Sequence, residues 1–127
     1  MEYEQIMAMP PLELVDWLKA NFLNALPQQI RDSQQIANAQ SLSMRLGNDY
    51  SYLMTLLSYA KICVRNAKRS GDKFAYEDMV DRQAAIENFA AIIKTQFTMI
   101  SRSFTMLEQE GRAFQMESGS FYRGGES

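Results

Sequence analysis

The chain has 127 residues, a formal net charge of −2 and no histidine, with 46% hydrophobic and 22% charged side chains. That length suits one domain able to bury a core without disulfides or metals, and that composition excludes wholesale disorder. The missing histidine removes the usual general base, the commonest zinc ligand and every carboxylate–histidine di-iron pattern, while the acidic balance excludes a uniformly basic nucleic-acid coat.

Cys63 stands alone, so neither an internal disulfide nor a paired-cysteine metal site is available, and a reducing cytosol is the expected compartment. It lies in an apolar helical stretch with nothing to activate it, which predicts a buried, inert thiol. No apolar run approaches the roughly 18 residues of a membrane span, and the opening MEYEQIMAMPP lacks a basic region followed by an apolar stretch. A cytoplasmic protein with no membrane partner and no cofactor is expected.

The first predicted element is a short amphipathic helix over about 11–26, PPLELVDWLKANFLNAL, opened by proline and carrying Val15, Leu18, Phe22 and Leu26 at helical spacing. Pro27 predicts a bend, after which a long helix runs over about 28–70. In it Ile36, Ala39, Ser43, Leu46, Tyr50, Leu53, Leu57, Ala60, Val64 and Ala67 alternate steps of three and four, a heptad seam. Gly47-Asn48 costs about 1 kcal/mol in propensity at the glycine and leaves a kink or break there open. The third helix, over about 75–111, has the strongest rhythm of all: Met79, Gln83, Ile86, Ala90, Ile93, Phe97, Ile100, Phe104 and Leu107. It predicts a rod about 55 Å long. Residues 1–112 thus form a single helical domain, and the Gly/Ser-rich stretch 113–127 reads as a flexible tail in which Phe121, Tyr122 and Arg123 offer a short docking peptide. The fold class is all-α: an elongated antiparallel helical hairpin with a short N-terminal helix, coiled-coil-like packing and an oligomeric assembly.

The hairpin tip carries the densest charge. In YAKICVRNAKRSGDKFAYED, Lys61, Arg65, Lys68, Arg69 and Lys73 precede Glu77, Asp78 and Asp81. Gly71 suits the left-handed residue that ends a helix, the cations complement the negative end of one macrodipole, and the acids complement the positive end of the next. The same cations, most of them on one face, also suit phosphate, with Tyr59 and Tyr76 as stacking surfaces. Glu77 with Asp81, or Asp78 with Asp81, shares a helix face that a magnesium ion could use, but acids at a helix N-terminus ordinarily serve the dipole, and no metal site is assigned. No phosphate-cradling glycine loop is present, and no catalytic residues are assigned.

Beside its seam the third helix carries a second apolar stripe, Ala85, Phe89, Ile92, Met99 and Met106. The short first helix covers less than half of it. Phe89, Ile92, Met99 and Met106 are therefore the expected interface with further copies of the chain or with a protein partner.

The order of these features, with the basic helix ending NAKRSGDKF followed by YEDMVDRQAAIENFAAIIKTQFTMISRSF, resembles small all-helical phage recombination mediators, which load a strand-exchange recombinase onto single-stranded DNA. The likeness covers about residues 50–105. It implies phosphate contacts at Arg65, Lys68, Arg69 and Lys73 and an oligomer built on the apolar stripes; the Pro10-Pro11 helix and the glycine-rich tail have no counterpart in it. The expected function is that of a non-enzymatic accessory protein binding nucleic acid or another phosphate-bearing ligand. The alternatives are a small inhibitor or adaptor, such as an anti-defence protein, that occupies a protein partner through the stripe and the tail, or a sponge that holds a nucleotide signal near Arg102.

Overall fold

The computed structural model describes residues 1–22 and 33–118, with side chains for 1–22 and 34–109. All its regular structure is helical, in the order α1 (Tyr3–Ala8), α2 (Pro11–Phe22), α3 (Ser33–Ser70) and α4 (Lys73–Ser118). The expected Pro27 bend, residues 23–26 of the first helix, 28–32 of the second and the end of the tail lie outside the described residues.

Helices α3 and α4 form the antiparallel hairpin, joined by Gly71 and Asp72 alone. So short a link forces the second helix back along the first. The two seams meet as their spacing predicts, with Leu46, Leu53, Leu57 and Ala60 of α3 buried with Ile86, Ala90, Ile93 and Ile100 of α4. α3 is one helix of 38 residues and passes through Gly47 unbroken. A Cβ built on Gly47 would meet Cε2 of Phe97 at 3.8 Å, ordinary contact, so nothing there demands glycine. Burial of the flanking seam outweighs the local propensity cost.

Phe97 departs from its expected place. It belongs to the buried seam of α4 by rhythm, yet 39% of its surface is exposed. Opposite it stands Gly47, which has no side chain to cover the ring. α4 continues to Ser118, past the boundary near Gly111 that the serine and glycine content of residues 113–127 suggests.

A helix that the periodicity does not predict, α1, precedes α2. Its first turn is held where the Glu2 backbone N–H donates to Gln5 Oε1 at 3.1 Å, and it buries Ile6 and Met7 in the common core. Six residues do not form a stable helix alone; tertiary burial holds this one. α1 lies against α3 and α2 against α4, on one face of the hairpin. Leu14, Leu18 and Phe22 of α2 are buried beside Ile6 and Met7, and a run of aromatic rings borders them. Tyr3 meets Tyr59 at 5.8 Å and Tyr52 at 5.7 Å, Tyr52 stacks on Phe22 at 5.9 Å, and Phe22 meets Trp17 edge-on at 5.6 Å. Each such pair adds about 0.5–1.5 kcal/mol beyond the area it buries.

One polar tie reinforces this contact. Arg82 of α4 is only 9% exposed, and its Nε–H donates to the Met9 carbonyl oxygen at 2.8 Å, just beyond the end of α1. A charge-assisted bond of this kind contributes about 1.5–3 kcal/mol, and truncating the arginine leaves the carbonyl without its donor. Arg82→Ala is expected to lower stability by roughly that amount, read as a shift of the urea midpoint followed by Trp17 fluorescence. An unchanged midpoint would show that the apolar contacts alone hold the N-terminal helices.

Candidate nucleic-acid interface at the hairpin tip

The tip is a well-satisfied turn. Gly71 takes φ +78°, the left-handed conformation that only glycine enters freely, and its N–H donates to the Lys68 carbonyl at 3.3 Å. Ser70 Oγ donates to the Ala67 carbonyl at 2.7 Å. Asp72 then caps α4, its Oδ1 accepting from the N–H groups of Phe74 at 3.1 Å and Ala75 at 3.2 Å. The glycine and the aspartate in RSGDK are therefore explained by backbone geometry.

The cations are not explained in full by the same argument. Lys68 and Arg69 lie in the last turn of α3, where the macrodipole acts, but Lys61 and Arg65 lie further back, beyond its reach. All five expected residues, Lys61, Arg65, Lys68, Arg69 and Lys73, are exposed. Lys73 Nζ is 4.0 Å from Glu77 Oε1, a surface pair worth well under about 1 kcal/mol. Among the described residues the other four have no ion-pair partner. At about 100° per residue, Lys61, Arg65 and Lys68 project roughly half a turn round α3 from Tyr59, the residue that touches α1. Lys61, Arg65 and Lys68 thus share the face of the hairpin turned away from the N-terminal helices, while Arg69, about 80° round from Tyr59, projects beside that face at the end of α3.

The stacking residues expected from the sequence are rearranged. Tyr59 is half-buried against Tyr3 and is committed to the fold, while Tyr76 is half-buried near the start of α4. The aromatic left at the tip is Phe74, 80% exposed in the first turn of α4. Periodicity passes over it because it stands outside the seam that begins at Met79; that very isolation is the signal the sequence carries for it.

Cys63 is partly buried rather than sealed in the core. Burial pushes its thiol above the ordinary range, outweighing the Tyr59 hydrogen bond and the Arg82 charge, which pull it down. Glu77, Asp78 and Asp81 are exposed on the first turns of α4, and no cluster of three or more metal-ligating side chains occurs among the described residues.

The second stripe divides in two. Phe89 is only 8% exposed and belongs to the core, so it is not available to a partner as expected; Ile92, Met99 and Met106 remain exposed along α4. Arg102 lines a shallow open depression with Phe97, Thr98, Ser101, Thr105 and Met106.

Comparison with known proteins returns no relative: no protein-family model matches the chain, and no curated protein and no solved structure matches it significantly. No described helix is long and apolar enough to cross a membrane.

Proposed function

We propose that the protein is a non-enzymatic, self-associating accessory protein of phage type that binds nucleic acid, or another phosphate-bearing ligand, through the hairpin tip. The observation that carries this reading is the set of four exposed cations, Lys61, Arg65, Lys68 and Arg69, without ion-pair partners among the described residues. Two of them lie outside the reach of the helix dipole, and all are concentrated at one end of an acidic protein. Phe74 supplies exposed aromatic surface beside them for a base.

The test is a titration of fluorescent single-stranded oligonucleotide across a salt series, with the wild type beside the Arg65→Glu, Lys68→Glu double variant. Binding that weakens steeply with salt and is lost in the variant supports the tip. Absence of binding by the wild type at low salt discards it.

A second reading, an inhibitor or adaptor of a protein partner, is favoured by the exposed Ile92, Met99 and Met106, spaced seven residues apart along one line of α4. The same line would serve self-association, and the two are separable. Met99→Lys with Met106→Lys is expected to reduce the mass measured by light scattering to that of one chain while leaving helicity unchanged. A wild type that is already monomeric removes self-association and leaves the stripe to a different protein.

A further inference from the structure

The two sides of the hairpin differ in charge. On the side of the N-terminal helices, the described residues expose Glu2, Glu4, Glu13 and Asp16 against one lysine, Lys19. On α4, Arg82 and Phe89 mark this side, since Arg82 bonds Met9 and Phe89 follows it by seven residues on the same face. Roughly half a turn round α4 from Phe89 lie Lys94, Thr98, Ser101, Arg102 and Thr105. These residues therefore share the open face with Lys61, Arg65 and Lys68 of α3. Among the described residues, two carboxylates of α4 also stand on this face: Glu87, held by a 2.9 Å hydrogen bond from Gln83 Nε2, between the two cation groups, and the exposed Glu108, seven residues beyond Ser101.

Lys94 and Arg102 are exposed and have no ion-pair partner among the described residues. Arg102 borders the depression whose apolar part is Phe97 and Met106 and whose rim carries the hydroxyls of Thr98, Ser101 and Thr105. Thr98 and Thr105 spend their protons on the Lys94 and Ser101 carbonyls, at 3.0 and 3.1 Å, which leaves their oxygens as acceptors for a base. Phe97, exposed because Gly47 opposes it, offers a ring beside a guanidinium. By the Gly47–Phe97 register, Arg102 stands level with the region of Leu42, about 40 Å from Lys68. That distance matches about a dozen phosphates of a stacked strand.

We infer that a single-stranded polynucleotide lies along this open face, running from the tip cations to a second anchor in which Lys94 and Arg102 hold phosphate and Phe97 seats a base. The inference rests on the tip reading and extends it. A single strand is specified because bases of a duplex are already stacked on one another and cannot cap an isolated ring.

The experiment measures affinity for a 16-nucleotide oligothymidylate, the matching oligouridylate and a 16-base-pair duplex, using wild type, Arg65→Glu/Lys68→Glu, Lys94→Glu/Arg102→Glu and Phe97→Trp, with circular dichroism to verify each fold. Expected are at least a tenfold loss on either single strand for Lys94→Glu/Arg102→Glu, and quenching of the emission added by Phe97→Trp when either strand binds. If wild type binds and the tip variant does not, while Lys94→Glu/Arg102→Glu stays within twofold and the added emission is unmoved, the second anchor is overturned and the tip survives. Tighter binding of duplex than of both strands overturns the single-strand assignment. If wild type binds nothing, the tip reading falls and takes this one with it.

Discussion

Reversing Arg65 and Lys68 together to glutamate is expected to weaken binding of single-stranded DNA by about a hundredfold at 0.1 M salt and to reduce the log–log salt slope by about 1.4. Each phosphate neutralised on a single strand contributes about 0.7 to that slope, so two lost contacts account for the change in slope and for roughly 25-fold in affinity at this salt. Repulsion from the two new carboxylates supplies the rest. The fold should not change, because both side chains are exposed and neither has an ion-pair partner among the described residues. A loss of affinity with no change in slope would point instead to a disturbed tip, and the phosphate contacts would have to be sought elsewhere.

Ile93→Ala is the substitution expected to damage the fold most. Ile93 is fully buried at the middle of the α4 seam, in the same core cluster as Leu53, Leu56 and Ala60 of α3 and Leu14, Leu18 and Phe22 of α2. Removing three carbons there forfeits their transfer free energy and opens a cavity between two rods that cannot close without bending, a cost of about 2–5 kcal/mol. For a chain of this size that lowers Tm by about 10–20 °C. The comparison substitution is Met99→Ala, on the same helix but exposed, which should leave the Tm of the isolated chain within a few degrees. Equal effects at the two positions would mean that α4 is covered along both faces.

How far the sequence can be read depends on how local the cause is. The hairpin follows from two heptad rhythms and a two-residue break, and Gly71 and Asp72 occupy the conformation and the cap that their side chains favour. The tip cations are legible as a group because their spacing places most of them, Lys61, Arg65 and Lys68, on one face. The illegible features depend on contacts between residues far apart in the chain. Nothing local distinguishes Arg82 from the surface arginines; its role arises because it meets Met9, 73 residues earlier. Tyr59 looks available until Tyr3 packs on it, and α1 is too short for its own periodicity to announce it.

The sequence by itself determined that this chain is helical, that its two long helices return on each other, and which stripe of each faces inward. Those are consequences of hydrophobic period and turn chemistry, which act over a few residues. The tertiary structure alone decided which face α1 and α2 occupy, and with it which apolar and aromatic side chains stay exposed and how the charges separate. Phe89 is covered while Met99 is not, and Phe97 is uncovered by a glycine on the neighbouring helix. The cations of α3 and α4 come to share a face only when both helices are docked, because side-chain direction on one helix has no relation to that on another until packing sets the angle between them.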